Sequence, residues 1–285
     1  MANLKDIRNR IKSVKSIQQV TKAMKMVAAA KMRKAQERME QARPYTHKLH
    51  EIIQTLLPDV DRSLLPLLDI RDIKRYAYVV ITSDRGLAGS FNTNIIKQAQ
   101  IEIDSLGKEN VDLFCIGKKG RDHFKRRGYT IIEEHLDFWN EMEFNHAIKL
   151  GDGIINHFID GKADEIRVIY NEFKNVAVQI IVKDKLLPLE YDEQQEEASS
   201  GERLYEPSRD DIVKSLVPRH LNVQIWQYLL ESYASEQAAR MVAMENATLN
   251  ASDMIKALQL EFNKARQASI TTEMLEIVSG AEALN

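Results

Sequence analysis

The stretch Ser208–Asn285, SRDDIVKSLVPRHLNVQIWQYLLESYASEQAARMVAMENATLNASDMIKALQLEFNKARQASITTEMLEIVSGAEALN, decides the fold. Between Ile212 and Leu284 it holds one proline, Pro218, and no glycine before Gly280. Its Ala, Leu, Met, Gln, Glu and Lys are the strong helix formers. Apolar or small residues recur by threes and fours: Val223, Trp226, Leu230 and Tyr233, then Met244, Thr248, Ala251, Ile255, Leu258, Phe262 and Ala265. That spacing is a heptad-like seam. Ser208 with Asp211 three residues on reads as an N-cap, and Pro207 stops the chain before it. At ~1.5 Å per residue the helix would run on the order of 110 Å. A helix of that length leaves its globule, and its seam then needs a partner.

The partner is Leu4–Leu57. Ile7, Ile11, Val14, Ile17, Thr21, Met24, Ala28, Met32, Ala35, Met39 and Ala42 form a stripe with gaps of three and four. Pro44 falls inside the pattern and predicts a kink or a break, because it removes one hydrogen bond and clashes one turn back. Pro58–Asp72 reads as a linker.

The periodicity then changes. Tyr76–Thr82 is β-rich and runs into the turn Ser83–Gly89, followed by a helical Thr93–Leu106. Val111–Ile116 is a second strand, turned by Gly117 into a helical Lys118–Arg127. Tyr129–Glu133 is a third strand and Glu143–Phe158 a further helix. Glu165–Tyr170 and Val176–Val182 alternate strongly, with Asn171–Asn175 between them as a hairpin loop. Leu186–Tyr191 reads as a last strand, and Glu190–Gly201 as an acidic loop. Strand–helix alternation closing on a hairpin implies an α/β domain with a mainly parallel sheet. The fold class is therefore α/β: a long antiparallel two-helix coiled coil made by the two ends of the chain, with a Rossmann-like α/β domain inserted. The boundaries are 1–60 plus 205–285 for the shaft and 70–195 for the globular domain. Because the C-terminal helix is the longer, Arg266–Asn285 outruns its partner, and Ile270, Met274, Ile277 and Val278 in that tip must face another protein.

The formal net charge of the 285 residues is −2, which does not point to nucleic acid. Its distribution is uneven. Met1–Lys48 carries thirteen Lys and Arg against three Asp and Glu, a net of +10. Glu190–Asp211 carries nine acids against two Arg, a net of −7. The basic block is either a solvated helix face or a binding surface. The single cysteine, Cys115, excludes an internal disulfide and sits in an apolar run as a core thiol. The N-terminus is charged from Lys5 on, unlike a signal peptide. The longest apolar runs fall far short of the ~20 residues a membrane span needs.

Two strand-to-helix turns, Ser83–Asn92 and Gly117-Lys118-Lys119-Gly120, have the layout in which backbone amides hold a phosphate. Neither carries G-x-G-x-x-G or a P-loop, and both read as tight turns. His47 and His50 are three apart on a helix, a pair that is ordinarily solvent-facing rather than chelating. Asp84 stands at a strand end without a partner acid, nucleophile or metal motif. No active site of the chain's own is expected.

The residues match a known family. Lys5–Ile11 (KDIRNRI), Thr21–Ala29 (TKAMKMVAA), Ser83–Gly89 (SDRGLAG) and Asn263–Thr271 (NKARQASIT), through Glu273, Glu276, Gly280 and Ala281, resemble the γ-subunit family of the F-type ATP synthases. The resemblance covers the whole chain. It implies a central rotor shaft, present once per complex, that rises into an α3β3 hexamer, with the ε subunit and the ring of c subunits at its foot. ATP, ADP and Mg would bind the α and β subunits, leaving no cofactor on this chain. Carried over position by position, Met24, Lys25, Arg240, Arg266, Gln267, Thr271 and Glu273 would contact β. Ile270, Met274, Ile277 and Val278 would turn in an apolar bearing. Leu204, Tyr205, Glu206 and Pro207 would form the foot near ε and the ring. The +10 helix suits acidic loops on the β subunits. The resemblance also implies a peripheral position at the cytoplasmic face of a bacterial membrane, no redox gating of the chloroplast kind, and no nucleic-acid partner. Two other readings stay open from the residues alone: a nucleic-acid-binding coiled-coil arm, which would explain the basic helix, and a nucleotide-dependent α/β enzyme with a helical dimerisation arm.

Overall fold

A computed structural model describes residues 4–57, 65–189, 206 and 208–282. The element order is α1 (Leu4–Leu56), β1 (Tyr76–Ile81), α2 (Phe91–Leu106), β2 (Val111–Ile116), α3 (Lys118–Arg126), β3 (Thr130–His135), α4 (Phe144–Ile159), β4 (Glu165–Phe173), β5 (Gln179–Leu187) and α5 (Arg209–Glu282). The chain divides into two compact units, Met1–Ala28 with Arg240–Asn285, and Ala29–Ala239. Both long helices contribute to both units.

The unit 29–239 is built on a five-stranded sheet in the order β3-β2-β1-β4-β5. β1 pairs in parallel with β2 and β4, β2 with β3, and only β5 runs antiparallel, against β4. Period-2 alternation sends the β1 side chains to opposite faces. Tyr78 and Val80 meet Ile95, Ala99 and Ile103 of α2 and Phe124 of α3. Ala77, Val79 and Ile81 face the other way, into a larger cluster with α4 and with Leu49, Ile53, Leu56, Val213, Val217 and Leu221. The inner halves of α1 and α5 are thus part of the second helical layer of a three-layer α/β body. Cys115 is fully buried on the α2–α3 face, and burial pushes its thiol up to about 12.

Several boundaries move from the expected ones. Pro44 neither breaks α1 nor ends it, and Pro218 stands inside α5. On α1 the residues past Pro44, Leu49, Ile53 and Leu56, are held in the core, so packing outweighs the local cost of about 3 kcal/mol. Part of the expected linker is core: Pro66–Leu68 forms a 3-10 turn with Leu65, Leu67 and Leu68 buried. Asn171, Glu172 and Phe173 are strand, not loop, and pair with Ile181, Ile180 and Gln179. The reversal sits at 174–178 because the Asn175 carboxamide accepts the amides of Ala177 and Val178, each at 2.9 Å. Leu186 and Leu187 finish β5 rather than begin a new strand. Ser208 does cap α5: its Oγ accepts the Asp211 amide at 3.2 Å and its carbonyl accepts the Ile212 amide at 3.1 Å. The acidic segment expected as a loop, Glu190–Gly201, lies outside the described residues.

Two predictions follow from this packing. Gly117 adopts φ +90°, and a Cβ there would stand 2.2 Å from the Thr82 carbonyl oxygen. Gly117→Ala should destabilise the fold by about 3 kcal/mol or more. Gly128→Ala, at φ +70° with open space around it, should cost only about 1–2 kcal/mol; urea unfolding of the two variants measures the contrast. His220 on α5 is buried against His50 on α1, ring centroids 5.7 Å apart. Burial, then the charge of His50, lowers its pKa from 6.5 to about 4. The unfolded chain therefore binds a proton that the folded one refuses between pH 6.5 and 4. Stability should fall as pH drops through that window, by on the order of 2–3 kcal/mol, and His220→Gln should remove that part of the pH dependence in unfolding curves taken at neutral and acid pH.

Candidate functional site

In the unit formed by 1–28 and 240–285, α1 and α5 pack antiparallel along one seam. Arg8 lies over the Phe262 ring at 5.5 Å, the hydroxyls of Thr21 and Thr248 meet at 2.8 Å, and Lys25 Nζ meets Glu245 Oε1 at 2.7 Å. The numbers of facing residues add to 269 or 270 in each pair, so the register holds over at least two heptads. Val14 buries against Ala251, Ile255 and Leu258, with Ile11 beside them. The Thr21–Thr248 bond satisfies two hydroxyls inside the seam and contributes about 0.5–1.5 kcal/mol. Lys25–Glu245 is exposed, 37% and 48%, and contributes no more than about 1 kcal/mol.

The α1 stripe drawn from the sequence merges two faces. The buried positions step Ile7, Val14, Thr21, Ala28, with Ile11 half-buried between them. Four-three spacing continues this seam through Gln18 and Lys25, both half-buried. Ile17, 55% exposed, and Met24 belong instead to a neighbouring stripe, one residue earlier, with Val20 and Val27. That second stripe is exposed except for the half-buried Met24. It was legible in the sequence as a parallel run with the same spacing, hidden because a seam is assumed to take the most apolar residue within reach.

The same register places Leu4 opposite Arg266. Beyond it the seam positions that follow Phe262 and Ala265 are Ser269, Thr272, Glu276 and Ser279, so the seam turns polar where α1 ends. Ile270, Met274, Ile277 and Val278 are all exposed, Ile277 at 72%, and Leu275 joins them. At 3.6 residues per turn Ile270, Met274, Ile277 and Val278 lie about 100° or more round the helix from the middle of the seam, and Leu275 lies on its flank. Among the other expected contact residues, Arg266, Gln267, Thr271 and Glu273 are exposed on α5. Thr271 donates to the Gln267 carbonyl at 2.9 Å and Ser269 to Glu273 at 3.3 Å. Arg240 is half-buried. Of the foot, Glu206 is exposed, whereas Leu204, Tyr205 and Pro207 lie outside the described residues.

Of the two turns that resemble phosphate sites, the one that opens α3 is closed by its own chain. Asp84 Oδ1 accepts the Lys118 amide at 2.9 Å and its Oδ2 the Asp137 amide at 2.8 Å. The Ser83 carbonyl accepts the Lys119 amide at 3.1 Å, and Thr82 Oγ1 the Gly120 amide at 2.9 Å. The first-turn amides of α3 that would hold an anion are thereby taken. Open α/β sheets bind ligands where the strand order reverses, here between β1 and β4. At that point Ser235 of α5 donates to the Asn171 carbonyl at 3.1 Å, and Ser232, Ser235, Glu236 and Gln237 are buried. α5 thus reaches the end of β4 beside that point. His47 stands 3.2 Å from Glu51 and His50 faces His220; among the described residues no three His, Cys, Asp or Glu converge as a metal set.

A family model described as ATP synthase matches residues 3–284, which fixes the class: a chain of that rotary complex. Over its whole length the chain is 46% identical to the ATP synthase gamma chain of Chloroherpeton thalassium and 49% identical to that of Prosthecochloris aestuarii, covering 99% of each. Its fold matches a chain of the Euglena gracilis mitochondrial ATP synthase, solved as OSCP/F1/c-ring, with TM-score 0.70 and 23% identity over 99% of this chain and 94% of that one. A chain of the Tetrahymena thermophila central stalk and c-ring structure matches with TM-score 0.61 and 26% identity over 80% of this chain and 99% of that one. The chain belongs to the ATP synthase gamma-chain family, whose place is the central-stalk rotor.

Seam and tip should respond differently to truncation of a side chain. Leu258, 7% exposed in the seam, should lose about 2–3 kcal/mol on Leu258→Ala. Ile277→Ala should stay within about 0.5 kcal/mol. Thermal melting of the helical circular dichroism of the isolated chain tests both.

Proposed function

We propose that this chain works as the rotating shaft of a proton-driven ATP synthase without reacting groups of its own. Rotation of the c-ring turns the foot, and the helix pair carries the rotation into the α3β3 hexamer. There its asymmetric surface drives each catalytic β site through its conformational states. The observation that carries this reading is the end of the seam: a continuous helix goes on past its partner with exposed apolar side chains and no seam left to bury. Such a tip suits an enclosing apolar bearing. Strong directional bonds there would hold single angles, since each hydrogen bond to a charged group contributes about 1.5–3 kcal/mol.

The β contacts are assigned to Met24, Lys25, Arg240, Arg266, Gln267, Thr271 and Glu273. To Met24 we add its exposed neighbours Ile17, Val20 and Val27. The ε subunit and the c-ring are assigned to the foot at 204–207. ATP, ADP and Mg are assigned to the α and β subunits, a reading supported by the occupied amides of α3. No helix among the described residues is long and apolar enough to cross a membrane, which accords with a peripheral place at the cytoplasmic face of a bacterial membrane, one copy per complex.

Two truncations test the bearing. Deleting Ala281–Asn285 should leave assembly and ATP-driven rotation largely intact. Deleting Arg266–Asn285 should weaken the complex and reduce torque without abolishing rotation, because the helix pair that remains still meets β. Single-molecule rotation and ATP hydrolysis on reconstituted complexes are the measurements. Arrest of rotation by the five-residue deletion, in complexes that still assemble, would show that the tip drives rotation and would sink the bearing reading.

A further inference from the structure

His47 and His50, three apart on α1, carry a chelating pattern that the rotor reading leaves unused, and the structure brings a third histidine to them. His50 faces His220 of α5 within the unit 29–239, ring centroids 5.7 Å apart and planes tilted by 34°. His220 is 2% exposed, and its Nδ1 is sealed with no hydrogen-bond partner among the described residues. Its Nε2 is not sealed in that way and makes no hydrogen bond among the described residues, so one lone pair is left unused. Burial, then the charge of His50, brings the His220 pKa down to about 4. The ring is therefore in the neutral form that binds metals, and no proton competes for it near neutral pH.

His50 is exposed and opens the place to solvent. Residues three apart on a helix have Cβ atoms about 5–6 Å apart, so His47 can reach the same ion. The three do not converge as they stand: His47 Nδ1 is turned to Glu51 Oε1 at 3.2 Å. That contact is open to exchange, because the His47 side chain is 78% exposed. Lys48 Nζ already holds the other Glu51 oxygen at 2.8 Å, so the carboxylate keeps a cation when His47 turns away.

The separation of the rings fits a tetrahedral ion. With Zn–N of about 2.0–2.1 Å, two imidazoles on one zinc have ring centres roughly 5–6 Å apart, a range that takes in the distance between His50 and His220. Imidazole ligands favour Zn²⁺, Cu²⁺ and Ni²⁺ over Mg²⁺ and Ca²⁺. We propose that His47, His50 and His220 form a binding site for Zn²⁺, with water in the fourth position, and that the bound ion clips α1 to α5. The proposal does not depend on the rotor reading, and neither rotation nor ATP hydrolysis is its readout.

The full-length chain, freed of metal by dialysis against a chelator, is titrated with ZnCl₂ in a calorimeter, with MgCl₂ as the control. One saturable equivalent of zinc is expected and no response to magnesium. Zinc should also raise the melting temperature, since only the folded chain brings α1 and α5 together. His50→Gln and His220→Gln should each weaken binding about tenfold or more, whereas His146→Gln on α4 should leave it unchanged. His50 is exposed, so His50→Gln keeps the test decisive should His220→Gln misfold. Co²⁺ in place of Zn²⁺ should give the strong visible bands of a tetrahedral site, and these should be lost in His47→Gln and His50→Gln. Absence of saturable zinc binding in the parent chain overturns the proposal. So does equal affinity in folded His50→Gln or His220→Gln, which would mark an adventitious ion only.

Discussion

A helix of 74 residues cannot bury an apolar stripe against itself. The arrangement of the helix pair depends on how that stripe is covered. Where α1 lies alongside, the seam is apolar and closes on the four-three spacing that keeps two helices in contact over many turns. Two threonines share a hydrogen bond across it, and an ion pair lies exposed beside it. Most of the cohesion is therefore non-directional burial. Where α1 ends, the seam becomes serine, threonine and glutamate, while apolar side chains move to another face. That change of face separates the part of the helix that holds the chain together from the part available to a partner.

The body built on the sheet uses its polar groups inward. In a nucleotide-binding α/β protein the strand-to-helix turns leave amides free and the crevice between diverging strands open. Here Thr82, Ser83 and Asp84 at the end of β1 supply acceptors for three amides at the start of α3, and Gly117 has no room for a side chain against Thr82. α5 carries a row of buried polar residues, of which Ser235 donates to the end of β4. The same groups that would make a phosphate site thus tie turn to turn and helix to sheet. A load-transmitting part gains from such cross-links, because they stiffen the junctions through which force passes.

The sequence reached the elements and their order through local signals. β1 and β2 were marked by apolar runs ended by a polar turn and by Gly117, β4 by its alternation, and the cap at Ser208 by its Asp211. Both long helices were marked by composition and spacing, and the length difference between them already implied an uncovered tip. The family was legible in four motifs because they occur in order along the chain. Less legible were the features fixed by what packs across from a residue. Pro44 looked like an interruption, yet the buried residues beyond it hold the helix. Leu65–Leu68 looked like a linker, yet the apolar face of the body takes it in. Glu172 and Phe173 looked like a loop, yet the strand beside them has backbone groups to pair.

Spacing and composition alone determined that this chain has two long terminal helices, a mainly parallel α/β segment between them and a heptad-like seam, because those are set by residues a few positions apart. Tertiary structure decided which of two adjacent stripes on α1 is buried, since Ile17 and Gln18 differ by only one position in register and the more polar residue lies on the partner's side. It decided that Ser235 of α5 meets the Asn171 carbonyl at the end of β4 and that the polar turn after β1 closes on the start of α3. Those outcomes depend on residues far apart in the chain meeting at a common surface, and no short-range pattern records such a meeting.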